Sequence, residues 1–172
     1  MKMEEFEALW LNSLQIAKEK AKSIGNKDLV EYLDLKIRND RSRFEASKLL
    51  FESFTQVAQE KIADGHNLEI QTQSPHQFQM NQSVLTGHLL TISFGICRFT
   101  VEVGWTRKPE DGFMRKGALA CAKITHFGKP EHNAQLLLLL SQNHQTNWFL
   151  LEKNGNLKEF QDFKKHVEIL FD

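Results

Sequence analysis

The clearest hint of nucleophilic chemistry in this sequence comes from one cysteine and one histidine that are far apart in the chain. Cys97 and His126 lie in apolar, strand-like segments and could be cross-strand neighbours near one end of a sheet. A thiol beside an imidazole is the minimum that a nucleophilic pair requires. The sequence shows no third residue to orient the histidine and no oxyanion-hole motif. A buried cysteine beside a half-exposed histidine is therefore favoured, and an enzyme that depends on the pair is the alternative.

The 7 histidines of the chain invite a comparison with metal sites. The closest two are His126 and His132, and the others are scattered. Structural zinc sites show tight spacings of Cys and His, and none occurs here. No glycine-rich phosphate loop is present either. We expect neither a bound metal nor a cofactor.

Two basic clusters are candidates for binding single-stranded nucleic acid, because cations can contact phosphates and aromatic rings can stack on bases. The first cluster comprises Lys36, Arg38, Arg41, Arg43 and Lys48. The second, the candidate nucleic-acid loop, comprises Trp105, Arg107, Lys108, Phe113, Arg115 and Lys116. The whole chain carries 22 Lys and Arg against 22 Asp and Glu, so its electrostatic attraction for nucleic acid is small. A solvated hairpin loop is therefore the favoured interpretation of the second cluster.

The composition is that of an ordinary globular protein. With 172 residues, 41% of them hydrophobic, the chain can form one domain with a proper core. The N-terminal segment MKMEEFEALW is acidic where a signal peptide would be basic, and no apolar stretch approaches the roughly 20 residues that span a bilayer. Both cysteines lie in apolar segments, where they act as small hydrophobes. We expect a cytoplasmic protein without membrane association.

The first third of the chain is predicted to be helical. In residues 3–24 the apolar residues recur at spacings of three and four, and Gly25 follows where a left-handed helix end belongs. A second helix begins after Asn26. Ser42 and Glu45 form a capping box, which favours a third helix that ends near Asp64. One long helix is the alternative, because the apolar stripe keeps its phase across this point.

After Gly65 the period of the apolar residues changes to two, which is typical of strands. The first strands carry glutamines on their polar face, and Pro75 indicates that one of them ends early or lies at an edge. A two-residue turn at Gly95-Ile96 predicts the register of the next hairpin. That register pairs Phe94 with Cys97, Ile92 with Phe99, and Leu90 with Val101. All three pairs are apolar, and a slip by one residue would destroy the agreement.

Later segments extend this meander and end in a helix. The small residues of ALACAKITHF leave room for a helix to approach the inner face of the sheet. We expect that face to include Ala118, Ala120, Ala122 and Ile124. Asn154-Gly155 is a strong hairpin signal, and the apolar spacing in residues 160–171 predicts a C-terminal helix.

The unbroken run of five leucines from Leu136 to Leu140 must be hidden from water. We expect the inner face to include Leu136, Leu138, Leu140, Phe149 and Leu151. The outer face would then carry Leu137, Leu139, Trp148 and Leu150, which we name the candidate interface. The C-terminal helix is predicted to cover this surface, and a second subunit is the other candidate, since exposed apolar patches of this kind usually mark interfaces.

Together these patterns predict an α+β protein with a single domain over residues 1–172. Residues 1–64 form two or three helices, and residues 66–172 form an antiparallel meander of about six strands and a closing helix. The leading hypothesis for function is a non-enzymatic protein-binding or adaptor protein, with a protein partner or a homodimer. The alternatives are a nucleic-acid-binding protein and the Cys/His-dependent enzyme.

Overall fold

The computed structural model describes residues 1–172, and it confirms the predicted α+β architecture. The helices are α1 (Met3–Ser23), α2 (Lys27–Ala63) and α3 (Phe163–Glu168). The strands are β1 (Leu68–Met80), β2 (Ser83–Phe94), β3 (Cys97–Trp105), β4 (Ala120–His126), β5 (Ala134–Leu140), β6 (Thr146–Leu151) and β7 (Leu157–Glu159). They form one antiparallel sheet in sequence order. None of the helices combines the length and the apolar character that crossing a membrane requires.

The N-terminal part contains two helices, because α2 runs without a break past the predicted start of a third. Ser42 and Glu45 are both exposed, and their capping signal does not end the helix. The apolar stripe continues in phase across this point, so one helix about 55 Å long buries it without interruption. Gly25, at φ 71°, reverses the chain between α1 and α2 as predicted.

The two helices pack against each other as an antiparallel hairpin. Its far end has a small core of its own, in which α1 and α2 contact each other and not the sheet. This hairpin core comprises Leu14, Ala21, Leu33 and Ile37. The second half of α2 instead crosses the inner face of the sheet, where Phe51, Phe54 and Ala58 are buried. The two halves of α2 therefore belong to two different cores.

The register of the β2–β3 hairpin is as predicted from the Gly95-Ile96 turn. Phe94 lies opposite Cys97, Ile92 opposite Phe99, and Leu90 opposite Val101. On the next strand Ile124 lies opposite Val101, which places it on the inner face. Ala118 is an exception to the prediction. It precedes β4 and joins a cluster on the outer face.

The C-terminal helix lies on the inner face beside α2, so the prediction that it covers the outer face is wrong. The rings of Phe54 and Phe163 meet edge to face at 4.9 Å. Val167 and Leu170 are buried in the same core. Because Phe163 of α3 packs on Phe54 of α2, the two helices share one continuous core on the inner face.

The predicted faces are correct for β5 but wrong by one residue for β6. Leu136 lies opposite Leu150, and Leu138 lies opposite Trp148, so Trp148 and Leu150 share the inner face with these leucines. Leu137 lies opposite Phe149 on the outer face. The five-residue loop 141–145 causes the shift, because it pairs Leu140 with Thr146. The four residues of the candidate interface are therefore divided between the two faces.

Leu137 is hidden by the tip of the β1–β2 hairpin, which folds over the outer face of β4 and β5. The cluster formed there comprises Phe78, Met80, Leu85, Ala118, Cys121 and Leu137. Phe78 lies across Gly104, where an added Cβ would come within 3.1 Å of its ring. At Gly87 an added Cβ would lie only 2.0 Å from the carbonyl oxygen of Val103. Two glycines thus let the sheet bend sharply enough for the hairpin tip to reach the leucines.

Candidate functional site

Cys97 is partly exposed, and no hydrogen bond joins it to His126. His126 lies opposite Phe99 on β4, and its Nε2 is 2.7 Å from Nδ1 of His166 on the C-terminal helix. Its ring also stacks on Phe99 at 5.1 Å. The imidazole that could have activated the thiol is therefore engaged with a second imidazole.

The buried histidine pair, His126 and His166, is held in the neutral form. Burial is the main reason that the pKa of each residue is lowered to about 4, and positive charge on His132 contributes to both shifts. At neutral pH one ring donates its N–H and the other accepts. No group of three or more His, Cys, Asp or Glu side chains is placed to hold a metal ion.

The candidate nucleic-acid loop is divided between the interior and the surface. Trp105 is fully buried, and Arg107 is 5% exposed. The Cζ atom of Arg107 lies 3.8 Å from the centroid of the Trp105 ring. Lys116 is exposed but donates a hydrogen bond to the carbonyl of Gly155. Trp105, which the nucleic-acid alternative would have used to stack on a base, therefore packs inside the protein.

Arg107 belongs to a buried network with Glu7 and His88. Its Nη1 and Nη2 donate to the two carboxylate oxygens of Glu7 at 3.1 and 2.7 Å. His88 Nε2 lies 3.0 Å from Glu7, and His88 Nδ1 lies 2.6 Å from the hydroxyl of Ser74. Burial raises the pKa of Glu7, but the hydrogen bonds from His88 and Arg107 outweigh burial and hold that pKa below its ordinary value. The network joins α1, the sheet and the loop after β3.

Ser74, His88 and Glu7 are connected in the order of a hydrolase triad, yet their geometry favours a structural role. In a hydrolase the serine meets Nε2 of the histidine and the carboxylate meets Nδ1, whereas here the two nitrogens are exchanged. His88 is completely buried and Ser74 is 6% exposed. The grooves of the surface are lined by other residues. This arrangement satisfies three buried polar groups and gives a substrate no access to the serine.

A second buried carboxylate, that of Asp40 on α2, forms a separate set of polar contacts. Trp10 Nε1 donates to it at 2.7 Å, and Arg43 Nη1 donates at 2.6 Å. Lys36 Nζ is 3.6 Å away. Burial lowers the pKa of Lys36, and Asp40 opposes this effect only in part. Arg43 also donates through Nε to the carbonyl of Leu119, which ties the end of the long loop to α2.

These two networks form the floor of a groove of about 310 Å³ between α2 and the loop after β3, which we name the cationic groove. Four cations line it, and they come from both basic clusters of the sequence. The cations are Lys36, Arg43, Arg107 and Lys108. Tyr32 and Leu35, each about half exposed, supply an apolar wall. Asn39 adds an amide, and the carboxylates of Glu7 and Asp40 lie buried beneath.

A larger groove of about 630 Å³ lies where β4, β5 and the β6–β7 turn meet. Its charged side chains are of both signs, since Arg115, Lys123 and Lys153 share it with Glu152. Arg115 and Lys153 are exposed, and no buried ion pair positions them. The cationic groove is therefore the better-organised site.

Sequence reasoning identified the basic residues but missed the carboxylates that hold them. Glu7 and Arg107 are 100 residues apart in the chain, and Glu7 and His88 are 81 apart. The helical spacing places Glu7 on the same face of α1 as Leu14 and Ala21. This was the one signal in the sequence that its carboxylate would be buried. Comparisons with protein families, with curated proteins and with solved structures find no match to this chain.

Proposed function

We propose that this chain is a non-enzymatic protein-binding protein, and that its cationic groove holds an anionic segment of a protein partner. The observation that carries the proposal is the convergence of four cations in a groove that no carboxylate lines. Glu7 and Asp40 are fully buried, so they neutralise part of the positive charge from below and leave the groove surface cationic. Lys36 and Arg43 share one carboxylate, and Lys108 has none, so an anion supplied by a partner would offset the remaining positive charge.

The apolar wall favours a peptide over a nucleic acid. Tyr32 and Leu35 would contact the apolar side chains of a bound segment, while the cations would bind its carboxylates through charge-assisted hydrogen bonds. Single-stranded nucleic acid requires several stacking platforms. Of the two aromatic residues of the candidate nucleic-acid loop, Trp105 is fully buried, and Phe113 is exposed but does not line the groove, which leaves Tyr32 as the single aromatic ring there. An acidic segment with interspersed leucines would place its carboxylates on the cations and its leucines on Tyr32 and Leu35.

Binding of a fluorescein-labelled peptide that alternates glutamate and leucine, followed by fluorescence anisotropy, tests this function. We expect Lys108→Glu to weaken binding about tenfold, with a strong dependence on salt, because an exposed charge at the rim of a site is reversed. Lys164→Glu is the matched control, since Lys164 is an exposed lysine of the C-terminal helix. It should leave the affinity unchanged.

Two results would contradict the proposal. The wild-type protein could fail to bind the peptide, or both variants could weaken binding equally, which would indicate non-specific attraction. Tighter binding to a single-stranded RNA of similar charge, lost in Lys108→Glu, would favour the nucleic-acid alternative instead.

We also propose that the protein is located in the cytoplasm, which is a reducing compartment. Cys97 and Cys121 are both free thiols, and burial raises the pKa of Cys121 to about 12. Free cysteines suit a compartment in which disulfides do not persist.

A further inference from the structure

The two edges of the sheet differ in a way that points to an interface. At one edge β7 is only three residues long, and it is exposed and charged through Lys158 and Glu159. Short length and charge are devices that prevent an edge strand from pairing with another chain. At the other edge β1 is 13 residues long, and it contains no lysine or arginine. The β7 edge is therefore protected against pairing along its whole length, whereas the first part of β1 has no such protection.

The outer edge of β1 has free backbone groups. β1 pairs with β2 alone, and no backbone hydrogen bond from a turn or loop reaches its residues between Glu69 and Met80. The side chains of Glu69, Gln71, Thr72 and Gln73 are exposed, so this part of the strand is accessible to solvent. Unpaired N–H and C=O groups in a row form a template for another strand.

The regular part of this edge has clear limits. The β1–β2 register shifts between Gln73 and His76, and Pro75 within that shift has no N–H to donate. Leu68 is buried at the start of the strand. The available segment is therefore Glu69–Gln73, five residues long.

We propose that this segment pairs with the same segment of a second copy of the chain, antiparallel and about a twofold axis through Gln71. In this register Glu69 lies opposite Gln73, and Ile70 lies opposite Thr72. No like charges face each other, and the only charged side chain of the segment meets an amide. The segment is thus complementary to itself, which a twofold interface requires.

The twofold axis would stand perpendicular to the sheet. The two sheets would then join into one, with the helices of both copies on the same side. Ile70, which is half-buried in one chain, would gain a neighbour in Thr72 of the other. This inference concerns β1 alone and does not depend on the cationic groove.

Light scattering during size-exclusion chromatography measures the mass directly. We expect the wild-type protein to elute at twice the 20.0 kDa of one chain. Gln71→Lys should give a monomer, because it places two ammonium groups opposite each other at the axis. Gln77→Lys changes the same residue type on the same strand beyond the register shift, and it should remain dimeric. A monomeric wild type, or a Gln71→Lys variant that stays dimeric, would overturn the proposal.

Oxidative cross-linking tests the register independently of any loss of folding. Opposed residues on antiparallel strands have Cα atoms about 4.5–5.5 Å apart, which is within reach of a disulfide. In a Cys97→Ser background, Gln71→Cys should form a covalent dimer under mild oxidation, and Gln77→Cys should not. Equal cross-linking of the two variants would contradict the register, and no cross-linking of either would contradict the interface.

Discussion

Two buried histidines at opposite ends of the sheet show how the same side chain is stabilised in two ways. His88 is completely buried and contacts a carboxylate, Glu7, which a guanidinium also binds. His126 is 3% exposed, and the only hydrogen bond of its ring is to another imidazole, that of His166. In the first region the buried carboxylate and the guanidinium offset each other's charge. In the second region the two buried imidazoles are uncharged and need no counter-ion. The first region should therefore be sensitive to the loss of a partner, and the second to the gain of a proton.

Removing the cation from the first region has the largest expected effect. Arg107→Ala leaves Glu7 buried without its main counter-charge, which typically lowers the free energy of unfolding by about 3–5 kcal/mol. Urea unfolding followed by circular dichroism measures the change. Lys108→Ala is the control, because this neighbouring residue is exposed and should cost little. If the two variants were equally stable, Glu7 would not depend on Arg107.

Acid is the corresponding challenge to the second region. His126 and His166 have a pKa of about 4 in the folded protein and near 6.5 when unfolded, so the unfolded chain binds more protons between these values. Stability is full above pH 6.5 and falls as the pH is lowered toward 4, by at most about 3 kcal/mol for each histidine. Glu7, whose pKa is lowered below 4.5, loses its contribution only at lower pH.

The double variant His126→Phe with His166→Leu removes both imidazoles and should flatten this pH dependence. His144→Asn is the control, since His144 is exposed in a loop at φ 61°, a conformation that asparagine tolerates. Chemical denaturation at a series of pH values between 7 and 4 gives the comparison. An unchanged pH profile in the double variant would show that the pair is not the acid-sensitive group.

The smallest effect is expected at the far end of the first network. Ser74→Ala removes one hydrogen bond from His88 Nδ1 and should lower the free energy of unfolding by about 1–2 kcal/mol. The same variant separates the structural interpretation from a catalytic one. Because Ser74 is nearly inaccessible, a fluorophosphonate probe should not label the wild-type protein. Labelling that disappears in Ser74→Ala would instead indicate a reactive serine.

The elements of this fold were predictable wherever a local signal decided them. A two-residue turn at Gly95-Ile96 leaves one register, and the prediction for β2 and β3 is correct residue by residue. The five-residue loop 141–145 permits several registers, so the faces of Trp148 and Leu150 were assigned incorrectly. At Ser42 a capping signal competed with a continuous apolar stripe, and the stripe prevailed because residues on both sides of this point, from Leu33 to Ala58, are buried.

The candidate site was less predictable than the fold. Both basic clusters were visible, but their meeting in one groove depends on how the loop after β3 lies against α2. That placement is fixed by the bonds of Arg43 to Leu119 and of Arg107 to Glu7, which span 76 and 100 residues. Contacts between residues this far apart in the chain produce no periodic pattern, so they could not be predicted from the sequence.

The division of α2 between two cores gives the molecule two levels of protection against hydrogen exchange. Amides near Leu33 and Ile37 are protected only by the four-residue hairpin core, whereas those near Phe51 and Phe54 lie over the main core of the sheet. The far end of the hairpin can therefore open without disturbing the sheet, and its amides should exchange by this smaller opening. Tyr32 and Lys36 lie on that end. One wall of the cationic groove therefore lies on the less stable end of the helical hairpin, and it can change position when a partner binds.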